Sequence, residues 1–159
     1  ICEDEMISTA IEILARAKEK NVKIHLPSDV VCAKEFSNDA ETKNFDIYNI
    51  PDDYEGMDAG KNSIEAFRKV VLDSKTILWN GPIGVFEFSN FSKGTKELGN
   101  LVAESTANGA FSLVGGGDSV AAVKKFGLQD KVSYVSTGGG AMLESLEGKI
   151  LPGISALSN

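Results

Sequence analysis

The residues of this sequence best suited to chemistry are Gly115-Gly116-Gly117-Asp118-Ser119. The apolar run Phe111 to Val114 leads into them and Val120-Ala121-Ala122-Val123 follows, so the stretch reads as strand, tight turn, helix. Residues without a Cβ let the backbone turn sharply and let a ligand approach it closely. A helix start presents free N–H groups and a partial positive charge, which suits phosphate. Asp118 or Ser119 can cap that helix. The pattern nearly repeats 23 residues on, where Ser133 to Val135 lead into Ser136-Thr137-Gly138-Gly139-Gly140 and then Ala141-Met142-Leu143. Two such units in tandem look like one site built from neighbouring loops.

Asp118 needs its own explanation. A carboxylate at the mouth of a phosphate-binding helix repels the ligand unless a cation lies between them. Mg2+ is the natural candidate, since it takes one or two carboxylates plus phosphate oxygens. A plain helix cap is the alternative. Gly138 to Gly140 are either a second phosphate cradle or a tight turn that lets strand and helix pack closely. A third loop follows Thr76-Ile77-Leu78-Trp79, namely Asn80-Gly81-Pro82-Ile83-Gly84-Val85-Phe86-Glu87. The Glu87 carboxylate can accept hydrogen bonds from a ribose, or it is a surface acid at a loop exit.

The elements that must position these loops are readable from periodicity. Residues 4 to 20 form an amphipathic helix with Ile7, Ile11 and Leu14 on one face. Val22 to Leu26 alternates as a strand ended by Pro27, and Val30 to Ala33 is a second strand. Polar turns surround a strand near Phe45 to Ile50, and Gly56 to Gly60 is a loop. A helix capped by Asn62, with Glu65 closing a capping box, runs to Asp73-Ser74. Ser92 to Ala107 is a helix stopped by Asn108-Gly109. The helix from Asp118 ends near Lys125 or Phe126, Lys131 to Val135 is a strand, and the last helix stops at Gly148. Residues 154–159 are a tail. Strands alternating with helices predict one α/β domain over residues 1–159, a three-layer, Rossmann-like, mainly parallel sheet flanked by helices. Ligands of such sheets bind at the carboxyl ends of the strands, so the three glycine loops share one rim.

Composition narrows the partners. The 159 residues are 42% hydrophobic and 25% charged, ordinary for a globular domain. The formal charge of −7 argues against non-specific binding to nucleic acid or an anionic membrane. No apolar run is long enough to span a bilayer, and the acidic start Ile1-Cys2-Glu3-Asp4-Glu5 is no signal peptide. A start at Ile1 suggests a fragment. Two cysteines, Cys2 and Cys32, make no disulfide framework and point to the cytoplasm. Cys32 reads as a small buried residue and the lone His25 as no metal ligand. Gly60-Lys61-Asn62 fails the P-loop pattern, which needs glycine where Glu55 stands and Ser or Thr where Asn62 stands.

Trp79 to Glu87, Gly115 to Ser119, and Val135 to Ala141 with Leu146-Glu147-Gly148-Lys149 and Leu151-Pro152-Gly153 resemble phosphoglycerate kinase in order and spacing. The resemblance covers the whole chain but only most of the family's C-terminal, nucleotide-binding domain. It implies reversible phosphoryl transfer between 1,3-bisphosphoglycerate and ADP, giving 3-phosphoglycerate and ATP, with Mg2+. By that resemblance Glu87 holds the ribose hydroxyls, and Gly84, Val85, Gly56 and Met57 line the adenine pocket. Asn80 and Pro82 flank the nucleotide. Gly116, Gly117 and Ser119 offer N–H groups to its phosphates, and Asp118 binds the accompanying Mg2+. Gly138, Gly139 and Gly140 face the transferred group, with Ser136-Thr137 at the family's hinge. The phosphoglycerate would be held by an N-terminal domain outside these residues, so the isolated chain is expected to be inactive and the full-length protein a monomer. Two other readings stay open: a non-catalytic nucleotide-binding regulatory module, and another α/β enzyme acting on phosphorylated sugars.

Overall fold

The computed structural model describes residues 3–157. The helices are α1 (Ile7–Glu19), α2 (Lys61–Asp73), α3 (Lys93–Ala107), α4 (Gly117–Lys125), α5 (Gly139–Leu146) and α6 (Pro152–Leu157). The strands are β1 (Asp29–Ala33), β2 (Lys43–Asp46), β3 (Glu55–Ala59), β4 (Thr76–Asn80), β5 (Phe111–Gly115) and β6 (Tyr134–Val135). They form two sheets, a parallel one in the order β4-β5-β6 and an antiparallel one in the order β2-β1-β3. The α/β expectation thus holds for the second half of the chain, and the first half adds an antiparallel sheet.

The parallel sheet has an apolar inner face. Trp79 of β4 and Val114 of β5, in register, join Val102, Val123 and Leu128 in one core. Full burial of side chains of this size is worth roughly 1.5–3 kcal/mol each. Helix α3 can lie close to this core because residue 99 is glycine: a Cβ there would come within 2.5 Å of Leu128 Cδ1 and 3.1 Å of the Trp79 ring. The opposite face of the sheet carries Leu78, Phe111 and Tyr134, all exposed. A smaller core of Ala33, Met57 and Phe91 lies under the antiparallel sheet.

Several local expectations are corrected. Val22 to Leu26 is exposed and joins no ladder among the described residues; alternation marks a strand only where a neighbour takes up its backbone groups. The strand expected near Phe45 to Ile50 is Lys43–Asp46. Gly56 to Ala59 is not a loop but part of β3, paired antiparallel with β1 across a register shift at Val31/Cys32. The strand before the second triple glycine shrinks to Tyr134–Val135, preceded by a 3-10 turn at Gln129–Lys131. The expected tail contains α6, which Pro152 opens at a position where its missing N–H is harmless; Ser158 and Asn159 lie outside the described residues, as does Cys2. Cys32 is fully buried, and burial pushes its thiol up, while His25 is exposed.

Helix α2 is capped, but not by Asn62. Its N-cap is Gly60, and the Asp29 carboxylate of β1 accepts the N–H groups of Asn62 (3.1 Å) and Ser63 (2.7 Å). A Cβ at Gly60 would overlap that carboxylate. Burial pushes Asp29 up, but the hydrogen bonds from Ser63 and Asn62 outweigh it and leave its carboxyl below the usual range. The stop of α3 is as expected: Gly109 follows Asn108 with φ +95°. No helix among the described residues is long and apolar enough to cross a membrane.

Candidate functional site

Parallel pairing brings the three glycine loops to one rim. Asn80 and Gly115 are register partners at the carboxyl ends of β4 and β5. The Ser136 N–H donates to the Val114 carbonyl at 2.7 Å, which carries the pairing past β6 to the second triple glycine. Gly116 then turns the chain with φ +86°, a conformation that favours glycine, and serves as the N-cap of α4. Neither Asp118 nor Ser119 caps the helix. Asp118 stands exposed in the first turn, and the buried Ser119 hydroxyl instead accepts the Gly81 N–H.

The loops touch through backbone. A Cβ at Gly139 would sit 2.5 Å from the Gly116 nitrogen and 3.0 Å from its Cα. One at Gly116 would sit 2.5 Å from Asn80 Oδ1, and one at Gly115 would overlap the end of Met142. At Gly115 only the flexible end of Met142 would have to move, but Gly116, with its positive φ, and Gly139, against backbone, are required. Gly117, Gly138 and Gly140 are not: a Cβ on any of them meets nothing within 4 Å. They leave open space at the starts of α4 and α5, where the first N–H groups of each helix have no intrahelical acceptor. The Gly138–Gly140 stretch is thus both a close-packing turn, at Gly139, and an open cradle on either side of it.

The Asn80–Glu87 loop is pinned along its length. The Trp79 indole N–H donates to the Gly81 carbonyl (2.7 Å), at a glycine with φ +100°. The N–H groups of Ile83 and Gly84 both donate to the buried Thr95 hydroxyl, at 3.2 and 3.1 Å. The Val85 N–H donates to the Met57 carbonyl (2.9 Å), which brings Gly56 and Met57 of β3 against Gly84 and Val85. Met57 itself points into the small core, so it can line a pocket only through its backbone. Pro82 is half-buried; Asn80 and Glu87 are exposed at either end. The Lys125 ammonium of α4 donates to the carbonyls of Phe86 and Glu87, 2.9 Å each.

Asp58 lies behind this loop and carries no local sequence signal. It is 4% exposed and accepts the N–H of Gly94 at 2.7 Å, 36 residues away, and of Ala59 at 2.9 Å. A Cβ at Gly84 or Gly94 would overlap its carboxylate. Burial pushes its pKa up to about 6, against the pull of those N–H groups and of Lys93. Thr95 and Lys125 are the other supports that sequence reading missed. Glycines at 84 and 94 were the available hint that a side chain had to fit between them.

Asp118 is a single carboxylate, and no group of three His, Cys, Asp or Glu residues able to hold a metal occurs among the described residues. The donors present fit an Mg2+ that arrives with phosphate oxygens, and not a metal caged by protein alone.

The model of the family described as phosphoglycerate kinase matches residues 1–149. A phosphoglycerate kinase of Porphyromonas gingivalis is 62% identical over 157 residues, 99% of this chain and 38% of that protein. One of Thermosipho africanus is 52% identical over 160 residues, 100% of this chain and 40% of its own length. Among solved structures, phosphoglycerate kinase from Coxiella burnetii aligns with a TM-score of 0.89 at 47% identity, over 94% of this chain and 38% of that one. That from Pyrococcus horikoshii aligns with a TM-score of 0.79 at 33% identity, over 97% and 36%. The chain spans about two fifths of the length of the curated relatives it matches. With the family match running through the triple-glycine rim, the chain belongs to the phosphoglycerate kinase family.

Proposed function

We propose that this chain is the nucleotide half of a cytoplasmic glycolytic kinase that moves a phosphoryl group between 1,3-bisphosphoglycerate and ADP. The observation that carries the reading is the pair of open helix starts, α4 and α5, joined at the Gly116–Gly139 contact beside the Asn80–Glu87 loop. The N–H groups of Gly116, Gly117 and Ser119 would hold nucleotide phosphates, and Asp118 their Mg2+. Gly56, Met57, Gly84 and Val85 would receive adenine, Asn80 and Pro82 would flank it, and Glu87 would hold the ribose. Gly138, Gly139 and Gly140 would face the transferred group.

Bound Mg2+ would neutralise phosphate charge; the protein's share is positioning and N–H donation. The chain has two arginines, Arg16 and Arg68, each paired with a glutamate of its own helix. Neither belongs to the rim. The cations that stabilise the moving phosphoryl, and the phosphoglycerate site, would come from the remainder of a family-length protein, acting as a monomer. These 159 residues alone would bind Mg-ADP weakly without turnover.

Calorimetric titration of the gene product carrying this chain tests the reading. ADP should bind more tightly with Mg2+ than without, and Asp118→Asn should cost about tenfold in affinity only when Mg2+ is present, since one carboxylate–cation contact is lost. Equal affinity with and without Mg2+ overturns the metal assignment. Absence of ATP formation from 1,3-bisphosphoglycerate and ADP overturns the reaction.

A further inference from the structure

The proposed nucleoside loop is held at both ends by one helix. Ser119, in the first turn of α4, accepts the Gly81 N–H. Lys125, the last residue of α4, donates to the carbonyls of Phe86 and Glu87, 2.9 Å each. The same helix begins at the open cradle around Gly116 and Gly117. Its length therefore sets the separation between the cradle and the backbone that carries Glu87.

We infer that Lys125 is a positioning residue for ribose recognition: it fixes the main chain at Glu87 so that the carboxylate is presented at a set distance from the phosphate cradle. This rests on the ribose role proposed for Glu87. The ammonium spends two of its three donors on carbonyls that end a loop, where no ladder or helix bond would otherwise take them up. Charge-assisted bonds of this kind are among the stronger ones. Glu87 is exposed; Thr95 fastens the loop before it and Asn38 holds Ser89 and Asn90 after it, but among the described residues it is Lys125 that bonds the main chain of residue 87 itself from another element. A long cation is suited to the task, because it crosses from α4 to two carbonyls at once; a shorter neutral side chain would not span that gap.

The test compares ADP with 2′,3′-dideoxy-ADP, which lacks both ribose hydroxyls, on the gene product carrying this chain. Lys125 is exposed, so Lys125→Met leaves the buried face of α4 intact. Wild type should prefer ADP; Lys125→Met should weaken ADP about tenfold, as expected for a lost hydrogen bond to a charged group, and leave dideoxy-ADP unchanged. Lys125→Arg, which keeps a long cationic donor, should restore most of the preference. If Lys125→Met weakens both nucleotides equally, or neither, the positioning role is overturned while the ribose reading stands. If wild type itself does not distinguish the two nucleotides, the ribose role of Glu87 fails and the inference with it.

Discussion

Four helix starts in this chain obey the same electrostatics and are treated in two ways. The starts of α2 and α3 are filled from within: Asp29 of β1 takes the N–H groups of Asn62 and Ser63, and Asp58 of β3 takes that of Gly94. Neither helix has a capping side chain of its own. The starts of α4 and α5 are introduced by Gly116 and Gly138, also without a side-chain cap, and the space beside Gly117, Gly138 and Gly140 is empty. An anion stabilises any helix N-terminus. Where the chain supplies the anion, the start is a structural joint between sheet and helix. Where no carboxylate of the chain reaches it, as beside Gly117, Gly138 and Gly140, the start is left open.

The largest expected effect comes from the buried joint at Asp58. Its folded pKa of about 6 lies above the ordinary aspartate value of 3.8, so the folded state binds this proton more tightly than the unfolded chain does. The sign follows: its contribution favours the fold below about pH 4 and is lost as pH rises through about 6. The difference in carboxyl affinity corresponds to roughly 3 kcal/mol. Chemical denaturation of wild type and Asp58→Asn across pH 4 to 7 should give curves that converge on one side of this window and separate on the other. Parallel curves would remove Asp58 as the titrating joint.

Next comes Asp29→Ala, which strips α2 of its acceptor and should lower stability by about 2 kcal/mol while leaving Mg-ADP affinity unchanged. It is the mirror of Asp118→Asn, which should weaken Mg-ADP and leave the melting temperature within a degree or two. A loss of nucleotide binding in the Asp29 variant would erase the distinction between the two kinds of helix start. The smallest stability change belongs to Gly117→Ala. Its Cβ meets no neighbour, and alanine favours the helix by up to about 1 kcal/mol, so the protein should be as stable as wild type or slightly more so. Nucleotide affinity should nonetheless fall, because the methyl group enters the cradle. Unchanged affinity would mean that the open space at the start of α4 takes no phosphate.

The two regions also differ in how far they can be read from sequence. The rim announces itself locally: an apolar run, residues without Cβ, then helix formers, all within about a dozen positions, because each loop is built by the strand and helix that flank it. Gly116 and Gly109 were legible for the same reason. The antiparallel half was not. Gly56 to Gly60 looks like a loop because its two glycines and its acid are turn formers in isolation; only pairing with Val30, Val31 and Cys32 makes Gly56 to Ala59 part of β3. Asn62 has the better capping sequence, yet Asp29 occupies the position from more than thirty residues away. Val22 to Leu26 shows the opposite error, a strand pattern with no ladder among the described residues.

Trp79 is the sole tryptophan of the chain, 5% exposed, with its ring in the main core and its indole N–H bonded to the carbonyl of Gly81. All indole fluorescence of these 159 residues thus arises at the point where the core meets the Asn80–Glu87 loop. Emission will shift to the red when the core opens to water. A displacement of the loop that breaks the Gly81 bond will alter intensity with the core still closed. The chain carries a built-in optical reporter that can tell these two events apart.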